Sequence, residues 1–83
     1  MDKNLTIGAY VTQFVTERAK ANPSTFFANE LFAFVQQSSG RYPAPGTVDR
    51  ILRKLRAEGA INYVVSNRSN GYYTALEAVK KNG

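Results

Sequence analysis

The sequence predicts a small α+β domain, mainly α, in which three helices are followed by a β-hairpin. Apolar residues recur every three or four positions in three successive segments, which is typical of helices that bury one face. The period then changes to two in two short segments, as in half-buried strands. The step Asn70-Gly71 between them is a strong hairpin turn signal. A chain of 83 residues fits one domain with one core.

The first helix is predicted over residues 7–21. Its apolar residues share one face and are Ile7, Tyr10, Val11, Phe14, Val15 and Ala19. Thr6 is expected to be the N-cap, because its hydroxyl can accept a hydrogen bond from a free N–H group of the first turn. Asn22-Pro23 ends the helix, since a residue before proline disfavours the helical conformation.

A second helix is predicted over residues 28–38, after a segment at 24–27 that is either a brief strand or an extended lead-in. The apolar stripe of this helix consists of Leu31, Phe34 and Val35. Phe27 is expected to pack below that stripe. Phe32 lies about 100° round the helix from Leu31 and either widens the core contact or marks an exposed patch. Gly40 is expected just past the helix end.

The third helix is predicted over residues 45–58. Pro45 fits its first position, where a missing N–H costs nothing, and Gly59 closes it. The buried stripe of this helix is formed by Val48, Ile51, Leu52 and Leu55. The two strands of the hairpin follow, with a loop at residues 67–71. In the first strand three residues are expected to face inward, namely Ile61, Tyr63 and Val65. In the second, Tyr72 and Tyr73 alternate, so one is expected to pack inward while the other stacks on a base or covers the sheet, and core packing is favoured for both.

The composition argues against several classes of function. The chain has no cysteine and no histidine, which removes disulfides, thiolate ligands, the commonest metal ligand and the usual general base. Its six carboxylates and its glycines follow no catalytic or dinucleotide-binding motif. We therefore expect no catalytic residue, no metal site and no cofactor, and a protein that is not an enzyme. No apolar run approaches a membrane span, so we expect a cytoplasmic protein with no membrane partner.

The charge is unevenly distributed. The net charge is +5, and residues 1–40 hold three basic and three acidic residues, so residues 41–83 carry the whole excess. Five of the six basic residues between positions 41 and 68 are arginines, which suit bidentate contacts to phosphate and guanine. This asymmetry favours a polyanion such as nucleic acid as the partner. The alternative is that these side chains only solvate a surface helix.

Residues 45–61 carry a resemblance to a known family. They read PGTVDRILRKLRAEGAI, with a Thr-Val start, apolar pairs separated by basic residues, and then Glu-Gly and an aliphatic residue. This segment resembles the recognition helix and first wing strand of winged helix-turn-helix regulators, and residues 67–71 look like the wing tip. The resemblance covers about residues 7–76. It implies a winged-helix domain there, between tails at residues 1–6 and 77–83.

The resemblance also implies a function. It is sequence-specific binding of double-stranded DNA in transcription regulation, at the nucleoid. Helix 45–58 would enter the major groove, and residues 66–71 would contact the backbone or the minor groove. The stripe of the third helix leaves Arg50 and Arg53 pointing away from the core. The candidate DNA contacts are Arg41, Pro45, Gly46, Thr47, Asp49, Arg50, Arg53, Lys54, Asn67, Arg68 and Ser69.

Three positions of the third helix raise specific questions. Asp49 can accept a hydrogen bond from cytosine N4, or it can pair with Arg53 four residues later. Thr47 lies at the helix N-terminus, where free N–H groups favour a phosphate. Arg56 lies nearer the core side of its helix, where its stem can cover apolar surface.

Other partners are considered beside duplex DNA. A winged helix can bind proteins instead, here through the Phe-rich segment 26–35. Binding of RNA or single-stranded DNA through Tyr72 or Tyr73 ranks third, because no sheet-aromatic RNA signature is present. A homodimer through helix 7–21, with Leu5, or through Phe32 is the further possibility. The alternative for these residues is that they complete a small core. Lys80 and Lys81 are expected to form a solvated, weakly attractive tail.

Overall fold

The computed structural model describes residues 6–78 as three helices packed with a three-stranded antiparallel sheet. In chain order the elements are α1 (Ile7–Ala19), β1 (Thr25–Phe27), α2 (Ala28–Ser39), α3 (Pro45–Ala57), β2 (Asn62–Asn67) and β3 (Tyr72–Leu76). The predicted α+β class, with three helices before a hairpin, is confirmed. The interpretations placed on Leu5, Lys80 and Lys81 lie outside the described residues.

The sheet contains strand β1, in the segment for which the sequence allowed either a strand or an extended lead-in. The strand order is β1-β3-β2, so the segment before α2 is a strand and not only an extended lead-in. It pairs with β3 through the partners Phe26 and Tyr73, while β2 pairs with the other edge of β3. The pairing joins residues nearly fifty positions apart, and α1 and α2 pack against it.

Helix α1 provides the centre of the core. Its N-cap is Thr6, as predicted, since the Thr6 Oγ1 accepts a hydrogen bond from the Ala9 N–H at 3.1 Å. Four of its apolar residues are buried, namely Tyr10, Val11, Phe14 and Val15. The helix ends at Ala19, two residues earlier than predicted. Lys20 and Ala21 instead donate to carbonyls three residues back, which tightens the chain before the proline.

Helix α2 begins directly after β1 and ends at Gly40, which has φ 70°. The carboxylate of Glu30 accepts a hydrogen bond from the Phe27 N–H at 3.0 Å and so satisfies a donor at the helix start. The prediction that Phe27 packs below the α2 stripe is wrong. Neighbouring residues of β1 point to opposite faces, so Phe26 is buried and Phe27 is 45% exposed. Phe32 packs against the core, which decides between its two interpretations.

Helix α3 ends at Ala57, one residue before the predicted end, and Gly59 follows with φ 82°. Val48 and Leu52 are buried, and the other two residues of the predicted stripe are partly buried against the core. In β2 the predicted alternation holds for the side of the strand, but one of the inward-facing residues is not buried. Tyr63 is buried, but Val65 is 42% exposed, because the strand continues past the core and becomes irregular between Val65 and Asn67.

The hairpin loop differs in detail from the predicted turn. Between residues 6 and 78 no residue other than glycine has a positive φ, so Asn70 does not take the left-handed conformation that a two-residue Asn-Gly turn requires. Instead Asn67 Oδ1 accepts a hydrogen bond from the Asn70 N–H at 3.2 Å, and Gly71 alone has φ 60°. The Gly71 carbonyl accepts a hydrogen bond from the Ala28 N–H at 2.8 Å. The base of the loop is thereby tied to the start of α2.

A search of the helices within residues 6–78 finds none with the length and apolar character needed to cross a membrane.

Candidate nucleic-acid interface

A cleft of about 390 Å³ lies between α3 and the β2–β3 hairpin. Arginines from two separate parts of the chain line it, because Arg53 and Arg56 come from α3 and Arg68 comes from the hairpin loop. The other lining residues are Asp49, Tyr63, Val65 and Tyr73. Three guanidinium groups and one carboxylate therefore line the same cleft.

Helix geometry explains which basic residues of α3 enter the cleft. At about 100° per residue, Asp49, Arg53 and Arg56 fall within roughly 60° of one another. Arg50 and Lys54 lie further round the helix and do not line the cleft, although both are exposed. The basic residues of α3 thus form two groups, one beside the hairpin and one on the outer surface of the helix.

The structure favours the local interpretation of Asp49. The Arg53 Nη2 lies 3.1 Å from the Asp49 Oδ2, four residues away on the same helix. The Arg53 side chain is nevertheless 70% exposed, so part of its guanidinium remains directed to solvent. An exposed pair of this kind contributes little to stability. It can therefore orient Arg53 and still allow this side chain to contact a ligand.

Arg56 is a member of the cleft that the candidate set omitted. Its guanidinium carbon lies 4.9 Å from the centroid of the Tyr63 ring, which is the geometry of a cation–π contact. The apolar surface that Arg56 covers is thus the aromatic ring of Tyr63, which its guanidinium contacts. Its three-residue spacing from Arg53 was the available signal, because residues three apart on a helix share a face.

A series of aromatic contacts connects the floor of the cleft with the core. The Tyr63 and Tyr73 rings meet edge to face with their centroids 5.5 Å apart. Tyr73 in turn stacks on the buried Phe26 ring at 5.3 Å, and Phe26 meets Phe14 of α1 edge to face at 5.2 Å. These contacts hold the floor in place relative to α1. They also confirm the predicted core packing for Tyr73. The same prediction is wrong for Tyr72, which contacts the exposed Phe27 instead.

Both tyrosines of the floor are neutral at neutral pH. Burial raises the pKa of the Tyr63 phenol, and the Arg56 guanidinium opposes that rise without cancelling it. Burial also raises the pKa of the Tyr73 phenol, and the negative charge of Asp49 adds to the effect. Neither phenol therefore offsets the positive charge of the three arginines. The cleft therefore combines guanidinium groups, which can donate hydrogen bonds to an anion, with two neutral tyrosines.

The start of α3 lies outside the cleft. Arg41, Pro45, Gly46 and Thr47 are not among the residues that line it, and the first three are exposed. The expectation of a free N–H group for phosphate fails at Thr47, because its N–H donates to the Ala44 carbonyl at 2.9 Å.

In the hairpin loop, Asn67 and Ser69 are exposed beside Arg68 but do not line the cleft either. The Asn67 side-chain oxygen is already engaged within the loop. Of the eleven candidate residues, the structure brings together Asp49, Arg53 and Arg68.

The residues considered for protein contacts are mostly in the core. Phe26 is fully buried, and Phe32 and Phe34 pack against the core, so Phe27 is the large apolar residue that the segment 26–35 leaves exposed. The apolar face of α1 is likewise buried or packed against the core. These residues complete a small core, which is the alternative weighed for them in the sequence. Tyr72 packs against Phe27, with ring centroids 4.6 Å apart.

Compared with protein-family models, with curated proteins and with solved structures, the chain matches none of them.

Proposed function

We propose that this chain is a winged-helix protein that binds double-stranded DNA and acts in transcription regulation. The observation that carries the proposal is the cleft in which Arg53 and Arg56 of α3 and Arg68 of the hairpin loop come together. These residues are separated in sequence but share one surface, and that surface opens between a helix and a hairpin. The arrangement suits a nucleic-acid backbone that runs from α3 to the hairpin loop.

The small and basic residues of α3 and of the cleft suit contact with a DNA duplex. The exposed side of α3 ends in small residues, Gly46 at one end and Ala57 at the other, so the helix can approach base edges closely. Arg50 and Arg53 are the candidates for contacts to bases, and Arg53 is held in position by Asp49. Arg56 and Arg68 are assigned to phosphates on the hairpin side. In this proposal the helix provides specificity and the cleft provides most of the electrostatic affinity.

The proposal is tested by titrating the full chain with a random duplex over a series of salt concentrations. Single-stranded DNA and RNA of equal length are measured beside it. We expect binding that favours the duplex and weakens steeply with salt, because each neutralised phosphate releases condensed counterions. Absence of binding to any nucleic acid at low salt would refute the proposal. Equal or tighter binding of the single strands would refute the placement of α3 in a major groove.

A matched charge control keeps the test specific to the cleft. Arg68→Ala and Lys20→Ala each remove one positive charge, but Lys20 lies at the C-terminal end of α1 and does not line the cleft. We expect Arg68→Ala to weaken binding to all duplexes and to reduce the salt dependence by about one phosphate contact. Lys20→Ala should change neither by a comparable amount. Equal effects of the two variants would mean that only the net charge matters.

A further inference from the structure

The sheet has an outer face that points away from the helices. Residues paired across an antiparallel sheet point to the same side, so the register assigns each residue to a face. Phe26, Tyr63, Tyr73 and Ala75 are packed with the core. Their neighbours therefore point outward, and the residues that define the outer sheet face are Thr25, Phe27, Asn62, Val64, Tyr72, Thr74 and Leu76.

The outer sheet face is uncharged and carries several exposed apolar side chains. Phe27, Val64 and Leu76 are among the large hydrophobic residues that remain exposed, and the Phe27 and Tyr72 rings are in contact. Val64 lies opposite Thr74, and Leu76 is its diagonal neighbour on the same face. The Thr74 hydroxyl is hydrogen-bonded to the Ser66 hydroxyl at 2.7 Å, so its burial would not leave it without a partner. Such a face favours contact with another apolar surface.

The charge distribution selects among the possible occupants. None of the residues of β1, β2 and β3 is charged, although the chain as a whole carries a net charge of +5. Within residues 6–78, the strands of this face offer a nucleic acid no cation that could neutralise its phosphates. A charged protein surface would lose water from its charges and gain no opposite charge here. A second uncharged, apolar face avoids both costs.

We propose that the outer sheet face is a dimer interface that binds the same face of a second copy of this chain. Two copies that each carry +5 repel one another in most orientations, but this contact brings uncharged strands together at the centre. The dimer relates the two copies by a two-fold axis, and the two sheets pack face to face.

The size of the face sets the expected strength. Strand β2 has six residues, β3 has five and β1 has three. With neighbouring strands about 4.8 Å apart, the face measures at most roughly 15 Å by 18 Å, which is small for a standard interface. We therefore expect a dissociation constant in the micromolar range. The dimer would be populated when two copies bind to one DNA molecule, because this raises their local concentration. The interface lies on the opposite side of β2 from the residues that line the basic cleft.

Two adjacent valines provide the test. Val64 and Val65 are adjacent in sequence and have the same exposure, 42%, but Val64 lies on the outer sheet face and Val65 lines the basic cleft. Val64→Lys and Val65→Lys therefore add the same charge at the same depth on opposite faces. The full chain and both variants are measured by sedimentation equilibrium after nuclease treatment, with circular dichroism to establish that each is folded.

For the parent chain we expect the average mass to rise with concentration from 9.2 kDa toward twice that value. The dimer should tighten with added salt, because salt screens the repulsion between the two positive chains. Val64→Lys should weaken the dimer at least about tenfold, and Val65→Lys should not, because only the first places a charge in the interface. If Val64→Lys fails to fold, Leu76→Lys tests the same face from the end of β3.

Three results would overturn the proposal. The first is a parent chain that stays monomeric up to concentrations about a hundredfold above the micromolar range. The second is a folded Val64→Lys or Leu76→Lys variant that dimerises like the parent. The third is a Val65→Lys variant that weakens the dimer as much as Val64→Lys does. Each measurement uses the protein without DNA, so its outcome does not depend on the proposed function.

Discussion

Arg56 offers the sharpest test of the cleft, because the sequence pattern alone did not include it among the DNA contacts. Its guanidinium lies over the Tyr63 ring at 4.9 Å, and it shares the cleft with Arg53 and Arg68. If it contacts one phosphate, Arg56→Ala removes one contact from the salt dependence of binding. The logarithm of the binding constant should then fall less steeply with the logarithm of salt, by a slope difference of about 0.9.

The slope difference converts directly into a change in affinity ratio. Between 50 and 200 mM salt, a difference of about 0.9 in slope corresponds to roughly a 3.5-fold change in the ratio of parent to variant affinity. The ratio should be larger at the lower salt concentration. Arg56→Lys retains the charge and should restore most of the slope, while it loses the planar group that stacks on Tyr63. Fluorescence anisotropy with a labelled random duplex measures all three proteins.

The reasoning fails if the ratio of affinities does not change with salt. A constant ratio would mean that Arg56 acts through the shape of the cleft and not through a phosphate. Lys20→Ala serves as the control for net charge, as above, and should follow the parent. Thermal unfolding of each variant establishes that all are folded at the temperature of the binding measurement.

Three further predictions concern the fold. Phe26→Ala should lower the free energy of unfolding by about 3–5 kcal/mol in urea titrations, because Phe26 is fully buried between Phe14 and Tyr73; a loss below about 1 kcal/mol would contradict this packing. Gly71→Ala should cost about 1–2 kcal/mol, since Gly71 has φ 60° and a Cβ there would lie 3.3 Å from the Ala28 Cβ; Gly46→Ala, in open space, is the control. Stability should fall as the pH rises above about 10, because the pKa of the Tyr63 phenol is raised in the folded chain and the unfolded chain therefore loses this proton first. Tyr63→Phe should reduce the pH dependence of stability. An unchanged pH profile would count against a buried phenol.

The helices were largely predictable because their signal is local. Each apolar stripe lies within one segment, and the observed helices end within two residues of the predicted limits. The differences arise where the chain leaves the helix, as at Lys20, where hydrogen bonds to carbonyls three residues back replace the α-helical pattern. The Thr6 cap was also readable, since a hydroxyl before an apolar run has one usual role.

The sheet was less predictable because its determinants are distant. The segment before α2 becomes a strand through pairing with β3, so three residues gave no sufficient pattern of their own. Alternation alone predicted that Val65 faces inward. It predicted the side of the strand on which Val65 lies, but not whether another element buries it. Val65 does share a face with Tyr63, but it extends beyond the packed core and is exposed there. Burial depends on where the neighbouring element ends, and the strand pattern carries no information about that.

The site was predictable to the extent that helix geometry determines it. The i,i+4 spacing of Asp49 and Arg53 allowed both a local pair and a base contact, and only the positions of the atoms favour the pair. Arg56 was missed because its position was judged by distance from the buried stripe. Its proximity to the hairpin depends on Tyr63, which the chain brings beside α3 only after folding.

The two proposals respond to salt in opposite directions, and the placement of charge in the fold is the reason. Arg53, Arg56 and Arg68 lie beside the inward-facing side of β2, whereas the other side of the same strand belongs to an uncharged face. Salt weakens contacts between arginines and phosphates through counterion release. It strengthens contact between two positive chains through screening. If a dimer formed through the arginines, for example around a shared polyanion, its affinity would instead fall with salt alongside DNA binding, and nuclease treatment would abolish it. The sign of the salt effect on the nuclease-treated protein therefore distinguishes an interface on the outer sheet face from one in the basic cleft.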